Sequence, residues 1–93
     1  MNIIFINQER ENLSLELTSY SVFEDLKNHS KKITVEAFVT KELKNNFNLQ
    51  NYKSLIINYD NKEDTYLIDN TIISRLLYQS EHKKYALIIT INR

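Results

Sequence analysis

The complete absence of glycine and proline is the feature that most constrains this chain of 93 residues. Average proteins use about 7% glycine and about 5% proline, so roughly ten such residues would be usual at this length. Turns that need a positive φ must therefore use Asn or Asp, the residues that tolerate it best after glycine. The polar connections at residues 7–12, 44–51 and 59–64 are rich in Asn, so we expect the chain to turn there.

The composition indicates a single globular domain spanning residues 1–93. Hydrophobic residues make up 42% of the chain and charged residues 26%, which is ordinary for a globular protein. There is no cysteine, so disulfides and cysteine metal sites are excluded. The start of the chain lacks the basic region of a secretory signal, and an apolar run such as Ala86 to Ile89 is far too short to span a bilayer. We therefore expect a cytoplasmic protein with no membrane contact.

Apolar patterns predict six strands. Residues 2–7 (NIIFIN) and 85–91 (YALIITI) are continuous apolar runs, which are typical of strands covered on both faces. The alternation in LSLEL, residues 13–17, indicates one buried and one exposed face. The polar residues 8–11 between two of these strands predict a hairpin turn. The remaining predicted strands lie at residues 33–39, 54–59 and 65–69, of which the last two form a second hairpin.

Helical spacing predicts three helices. Ser21-Val22-Phe23-Glu24 has the pattern of a capping box, which predicts a helix over residues 21–29. Thr40 is a candidate cap for a short helix over residues 40–47. An apolar stripe predicts a third helix over residues 71–80, capped by Asp69 or Asn70. The members of the stripe are Ile72, Ile73, Leu76 and Leu77.

The resulting order, β-β-α-β-(α)-β-β-α-β, predicts an α+β fold. Runs of strands interrupted by helices, without strict alternation, favour a single mixed β-sheet with the helices packed on one face. The N- and C-terminal strands are the most continuously apolar. We therefore expect them to lie side by side at the centre of this sheet.

The first 27 residues resemble the start of ubiquitin and other β-grasp domains. They share a Met-x-Ile strand, a short turn, an alternating strand with the LSLEL pattern, and a capped helix containing Phe23-Glu24-Asp25-Leu26-Lys27. The resemblance implies a β-grasp fold, in which the first strand pairs with a final apolar strand, and protein binding through the exposed sheet face. The chain has no glycine and so lacks the Gly-Gly tail of the modifiers and sulfur carriers. Neither conjugation nor sulfur transfer is therefore expected.

No residue pattern indicates a catalytic, metal or cofactor site. His29 and His82 are the only histidines, and two surface histidines are commoner than a ligand pair. The acidic residues of the turn at 59–64 lack the spacing and the central glycine of a calcium loop. Ser30 adjoins His29 only in sequence, which is not the geometry of a nucleophile and its base. We therefore expect a protein that is not an enzyme and has no cofactor.

Two surfaces are candidates for binding. Tyr is enriched where proteins meet, and Tyr59 and Tyr66 could be cross-strand neighbours on the hairpin over 54–69. Strand ends also use Tyr for its β propensity, so that alternative is left open. A secondary basic patch could contact phosphates, although a formal net charge of zero does not favour a nucleic-acid surface. The predicted partner-binding residues are Tyr59, Asp60, Glu63, Asp64 and Tyr66, and the basic patch is Lys27, Lys31 and Lys32.

Three classes of function are consistent with these features. A short chain without catalytic motifs, rich in Asn, Ile, Lys and Tyr with their AT-rich codons, is typical of phage and mobile-element proteins. The first hypothesis is therefore a non-enzymatic inhibitor of the anti-CRISPR or other anti-defence type, which occludes a partner surface. The second is a β-grasp adaptor or assembly subunit of a host complex, and the third is a binder of a small molecule or nucleic acid. A homodimer is a further alternative if the strand at 33–39 or 54–59 lies at an exposed edge.

Overall fold

The fold is built almost entirely from β-strands. A computed structural model describes residues 1–9 and 11–93, and within them the chain forms eight strands, one short α-helix and one 3₁₀ turn. The six predicted strands are all present, with bounds shifted by a few residues. The predicted turn at 8–11 includes residue 10, which lies outside the described residues. The elements are β1 (Asn2–Ile6), β2 (Asn12–Glu16), β3 (Ser19–Asp25), β4 (Ser30–Val39), α1 (Lys41–Asn46), the 3₁₀ turn (Leu49–Asn51), β5 (Ser54–Tyr59), β6 (Lys62–Leu67), β7 (Ile72–Gln79) and β8 (Lys84–Asn92).

The described strands form two antiparallel sheets of four strands each. The first sheet has the order β2-β1-β5-β6, and the second has the order β3-β4-β8-β7. The predicted α+β fold, with a single mixed sheet and helices packed on one face, is therefore wrong. β1 and β8 are not neighbours either, because β1 pairs with β2 and β5 whereas β8 pairs with β4 and β7. Each is nonetheless an interior strand of its own sheet, which accounts for its apolar sequence.

The two sheets pack face to face around one apolar core. Burial alternates along β1, where Ile3 is 1% exposed while Ile4 points to the other side and is partly exposed. The expectation that β1 is covered on both faces is therefore wrong, because the second sheet covers only one of them. The buried side chains come from both sheets and from the connections between them: Ile3, Phe5, Leu17, Ile33, Val35, Ala37, Leu49, Leu55, Ile57, Ile72, Leu87, Ile89 and Ile91.

The segment predicted as a helix over 21–29 is instead strand β3 and the turn that follows it. β3 pairs with β4 along its whole length, from Ser19 opposite Glu36 to Asp25 opposite Ser30. The capping-box pattern is a local signal, worth about 1 kcal/mol. Pairing with a long, well-buried strand contributes more, so tertiary context overrides the local preference.

The segment predicted as a helix over 71–80 is strand β7. It pairs with β8 from end to end, which places Ile72 and Leu76 on the side of the core and Ile73 and Leu77 on the outer face. Both faces of this strand carry apolar residues, so the apolar positions repeat every four residues. That repeat imitates the spacing of a helix, and the predicted helix is wrong for this reason.

The short helix predicted over 40–47 is confirmed as α1. Its N-cap is Thr40, whose Oγ1 accepts a hydrogen bond from the backbone N–H of Leu43 at 3.1 Å. The ring of Phe47, at the C-terminal end, packs edge-on against the buried Phe5 with 5.3 Å between ring centroids. Over residues 1–9 and 11–93, no helix has the length and apolar character needed to cross a membrane.

The two halves of the chain follow the same path. Each half places one hairpin in the first sheet and the next hairpin in the second sheet, and the halves meet where β1 pairs with β5 and β4 pairs with β8. The turns of the two second-sheet hairpins also match, since His29 directly before β4 has a φ of 53° and Lys83 directly before β8 has a φ of 52°. The expectation that positive φ falls on Asn and Asp is thus confirmed for Asp60 and Asn61 but wrong for these two turns.

Candidate functional site

The predicted partner-binding surface lies on the β5–β6 hairpin, which closes through a two-residue turn. Tyr59 pairs with Lys62, and between them Asp60 (φ 48°) and Asn61 (φ 62°) both adopt positive φ. This is the geometry of a type I′ turn, whose twist matches that of the flanking strands. Asp and Asn are the residues best able to form it in a chain without glycine, and Asp60 is exposed at its tip.

The strand register divides the other predicted residues between two faces. Asp64 lies opposite the buried Ile57 and therefore faces the second sheet. Tyr59 and Tyr66 lie two residues from these positions along their strands and face the same way. They are not cross-strand neighbours, because the Ile57–Asp64 pair lies between them. Glu63 lies on the opposite, outer face, so the structure does not bring the five predicted residues together on one surface.

Tyr59 contributes to packing between the sheets. Its ring stacks on that of Tyr20, which belongs to β3 in the second sheet, with 4.1 Å between centroids and 11° between planes. Tyr66 also packs against the core and is half-buried. These two tyrosines therefore pack between the sheets. This agrees with the alternative that Tyr occurs at these strand ends for structural reasons.

The phenols of Tyr20 and Tyr66 are held in their neutral form. Burial is the main cause that raises the pKa of each, and the nearby carboxylate of Asp64 raises both further. The guanidinium of Arg93 acts in the other direction on Tyr66, lowering its pKa by a smaller amount. A phenol with a raised pKa stays protonated near neutral pH, so neither ring is set to act as a nucleophile or a general base.

Arg93 ties the end of β8 to the connection between the two sheets. Its guanidinium lies over the ring of Tyr66 at 5.5 Å and forms an ion pair with Asp69 at 3.7 Å. Asp69 Oδ1 also accepts hydrogen bonds from the Thr71 hydroxyl (2.5 Å) and backbone N–H (2.8 Å), and these lower its pKa. No helix follows, so the helix cap predicted at Asp69 or Asn70 is wrong, and Asp69 instead closes a turn that leads into β7.

The far end of the β3–β4 hairpin is the most exposed apolar feature among the described residues. We call residues 22–32 the hairpin end. Phe23 is 68% exposed and Leu26 is 79% exposed. β8 accompanies β4 from Lys31 onward, so Phe23, which lies opposite Lys32, is still within the sheet, and only the turn over 25–30 extends beyond β8. This turn is closed by Asp25, whose carboxylate accepts hydrogen bonds from the side chain and backbone N–H of Asn28 at 2.7 and 3.2 Å, which lower its pKa.

Sequence reasoning missed Phe23 and Leu26 as surface residues. A helix over 21–29 would have turned both toward the core, whereas strand β3 places Phe23 on the outer face of the second sheet. The strand-forming residues at 20–23, followed by Asp25 and Asn28 at turn spacing, are the signal that could have identified a hairpin here.

The basic patch of Lys27, Lys31 and Lys32 also belongs to the hairpin end. Lys27 lies in the turn, while Lys31 and Lys32 are successive residues of β4 and point to opposite faces. All three are exposed. They therefore lie on the same segment as Phe23 and Leu26, together with the carboxylates of Glu24 and Asp25, and do not form one flat phosphate-binding surface.

The two histidines lie in the turns of different hairpins, His29 between β3 and β4 and His82 between β7 and β8. The ring of His82 packs against Phe38 at 5.4 Å between centroids. In the part of the chain that the structure describes, no group of three or more His, Cys, Asp or Glu residues is arranged to hold a metal ion.

Comparison with models of known protein families, with curated proteins and with solved structures finds no match. The resemblance of residues 1–27 to β-grasp domains accordingly stays a prediction.

Proposed function

We propose that this domain binds another protein by inserting the hairpin end into an apolar cleft of its partner. The observation that carries the proposal is the exposure of Phe23 and Leu26, at 68% and 79%, on the edge strand β3 and in the turn that follows it. Large apolar side chains clustered at the surface are uncommon on proteins that work alone and are characteristic of interaction sites.

The chemistry of the hairpin end suggests what the partner surface contains. Phe23 and Leu26 would act as anchors, since a few large side chains in desolvated pockets supply most of the energy of an interface. Lys27, Lys31 and Lys32 lie beside them together with Glu24 and Asp25, so the rim of the cleft would carry charges that complement both signs around an apolar floor. Such complementary charge would speed association and orient the hairpin.

Binding of this kind would make the domain an inhibitor that acts by occluding a partner surface. The size and AT-rich coding of the chain support an origin in a phage or mobile element, where such inhibitors block host defence systems, including CRISPR effectors. A host assembly subunit would use the same contact differently, and genome neighbours would distinguish the two. An origin beside phage genes favours the inhibitor, and an operon of host genes favours the subunit.

The test is affinity capture from the native host with three forms of the protein. They are the wild type, the double variant Phe23→Ala/Leu26→Ala, and Leu67→Ala as a control. Leu67 is 67% exposed and lies on β6 of the other sheet, so it matches Phe23 in exposure but not in place. A partner retained by the wild type and by Leu67→Ala, but lost by the double variant, supports the proposal.

Binding to the purified partner then gives the magnitude. Each anchor is expected to contribute at least about 2 kcal/mol, so the double variant should weaken affinity by more than about a hundredfold. Equal capture by all three forms, or recovery of only a nucleotide or oligonucleotide, would refute the proposal. The charge-reversed variant of Asp60, Glu63 and Asp64 tests the other surface. If it loses the partner while Phe23→Ala/Leu26→Ala retains it, the binding site lies on the β5–β6 hairpin.

A further inference from the structure

Strand β7 is the longest edge strand of the sandwich. The four edges among the described strands are β2 and β6 in the first sheet and β3 and β7 in the second. The strands at 33–39 and 54–59 are β4 and β5, which are interior, so neither offers the dimer contact considered from the sequence. β7 has eight residues, against five in β2, six in β6 and seven in β3.

The other edges carry more charge or are shorter, whereas β7 carries a single charged residue, Arg75. β6 begins with Lys62, Glu63 and Asp64, and β3 ends with Glu24 and Asp25. β2 reads NLSLE and is short. Charges and short length are common means of protecting an edge. β7 reads IISRLLYQ, and its exposed residues include the apolar side chains of Ile73, Leu77 and Tyr78.

The pattern of backbone hydrogen bonds shows which groups of β7 are free. The N–H of Asn92 donates to the carbonyl of Thr71 at 3.0 Å, which fixes the alternation along the β7–β8 pair. Residues 73, 75, 77 and 79 bond to β8 in this alternation, and residues 74, 76 and 78 turn their N–H and C=O groups away from it. These unpaired groups form a template for one more antiparallel strand.

We infer that β7 pairs with β7 of a second copy of this chain, with Leu76 facing the partner's Leu76 on a two-fold axis. This register places Arg75 opposite the partner's Leu77, and Ile73 opposite the partner's Gln79. Sliding the partner strand by two residues in one direction would set Arg75 opposite the partner's Arg75. That register is unfavourable because like charges would lie directly opposite each other. Shifting it in the other direction shortens the paired region.

A second copy can be the occupant because β7 pairs with itself in this register without setting like charges opposite each other. A two-fold interface needs a self-complementary patch, and the pairing of Leu76 with itself and of Arg75 with an apolar residue satisfies that requirement. The product is a continuous sheet with the order β3-β4-β8-β7 followed by the partner's strands in reverse order. It uses the free groups of residues 74, 76 and 78 in both copies.

The test compares Leu77→Lys with Leu77→Glu. Both remove the same exposed leucine, so they lose the same apolar contact. In the inferred register, Lys at 77 faces the partner's Arg75 twice per dimer, whereas Glu faces it with opposite charge. Sedimentation velocity over a wide concentration range should show a wild-type dimer, and the dissociation constant of Leu77→Lys should exceed that of Leu77→Glu by at least about fivefold. Thermal melts would show that both variants fold.

A wild type that stays monomeric at several hundred micromolar overturns the inference. Equal dimerisation of the two charge variants overturns it as well, because the contact would then lie elsewhere.

A second measurement does not depend on those variants. The chain has no cysteine, so a mixture of Arg75→Cys and Leu77→Cys chains can form only introduced disulfides. Directly opposite residues in a non-hydrogen-bonded pair have Cα atoms about 4.5 Å apart, within the range of a disulfide. Oxidation should link the two different chains faster than it links either chain to itself. A faster Arg75→Cys homodimer would contradict the register.

Discussion

Replacing neighbouring isoleucines of β1 tests whether the domain is a sandwich of two sheets. Ile3 is 1% exposed and faces the second sheet, whereas Ile4 points to the outer face and is partly exposed. A strand covered on both faces would lose similar stability from alanine at either position. In the sandwich the two costs must differ.

The magnitude follows from the atoms removed. Ile3→Ala deletes Cγ1, Cγ2 and Cδ1, and at about 0.8 kcal/mol for each buried carbon the transfer cost is about 2.4 kcal/mol. The cavity left behind adds to this, so the loss should fall in the middle of the usual range of about 2–5 kcal/mol. Ile4 keeps part of its surface in water, so the same deletion there should cost about 1 kcal/mol.

The measurement is denaturant unfolding followed by circular dichroism, supported by thermal melts. For a domain of this size each kcal/mol lowers the melting temperature by about 4–8 °C, so Ile3→Ala should melt more than about 10 °C below the wild type. Ile4→Ala should melt well above Ile3→Ala. Equal losses at the two positions, or a larger loss at Ile4, would refute the assignment of inner and outer faces.

Three further predictions concern contacts that hold the elements together. A double-mutant cycle with Tyr20→Leu and Tyr59→Leu should give a coupling of about 0.5–1.5 kcal/mol, since their rings stack between the sheets, and no coupling would contradict that contact. Thr40→Ala should destabilise the domain by about 1 kcal/mol, and Thr40→Ser should restore most of it, as measured by urea unfolding. Hydrogen bonds hold the pKa values of Asp25 and Asp69 below that of an unfolded aspartate, so their stabilisation is complete above that ordinary value and is lost as pH falls through the folded pKa. Melting temperatures should therefore fall less steeply in acid for Asp25→Asn/Asp69→Asn than for the wild type, and identical slopes would contradict the assignment.

Much of the strand content follows from local patterns. NIIFIN, LSLEL and YALIITI are strands because their apolar residues suit a pleated surface, and this is visible without knowledge of the partner strands. A turn at Asp60 and Asn61 is also predictable, since those residues tolerate positive φ, but its two-residue length is not, because the predicted strand begins at residue 65 and β6 begins at Lys62. What local patterns do not contain is the assignment of strands to two sheets.

The helices wrongly predicted at β3 and β7 show why local patterns are not sufficient. Ser21 and Glu24 at capping spacing, and Ile72 to Leu77 at helical spacing, are local signals for helices. Long-range pairing with β4 and β8 decides the conformation of both segments. The predicted partner-binding residues are divided between two faces for the same reason, because the strand register decides which face Tyr59 and Tyr66 occupy. The exposure of Phe23 depends on β3 being a strand.

The two proposed surfaces lie at opposite edges of the second sheet, and this makes a joint prediction. β3 carries the hairpin end and β7 carries the inferred dimer contact, with β4 and β8 between them. A dimer formed through β7 would hold two hairpin ends at its two outer edges, each free to bind. Such a bivalent protein gains apparent affinity on a surface that displays many partner molecules, without any new contact.

Leu77→Lys should therefore bind a single soluble partner with unchanged affinity but dissociate faster from a densely coated surface. Phe23→Ala/Leu26→Ala should show the reverse, with normal dimerisation and no binding. If Leu77→Lys abolishes binding to the soluble partner, the two surfaces are not independent, and the hairpin end is not sufficient for recognition.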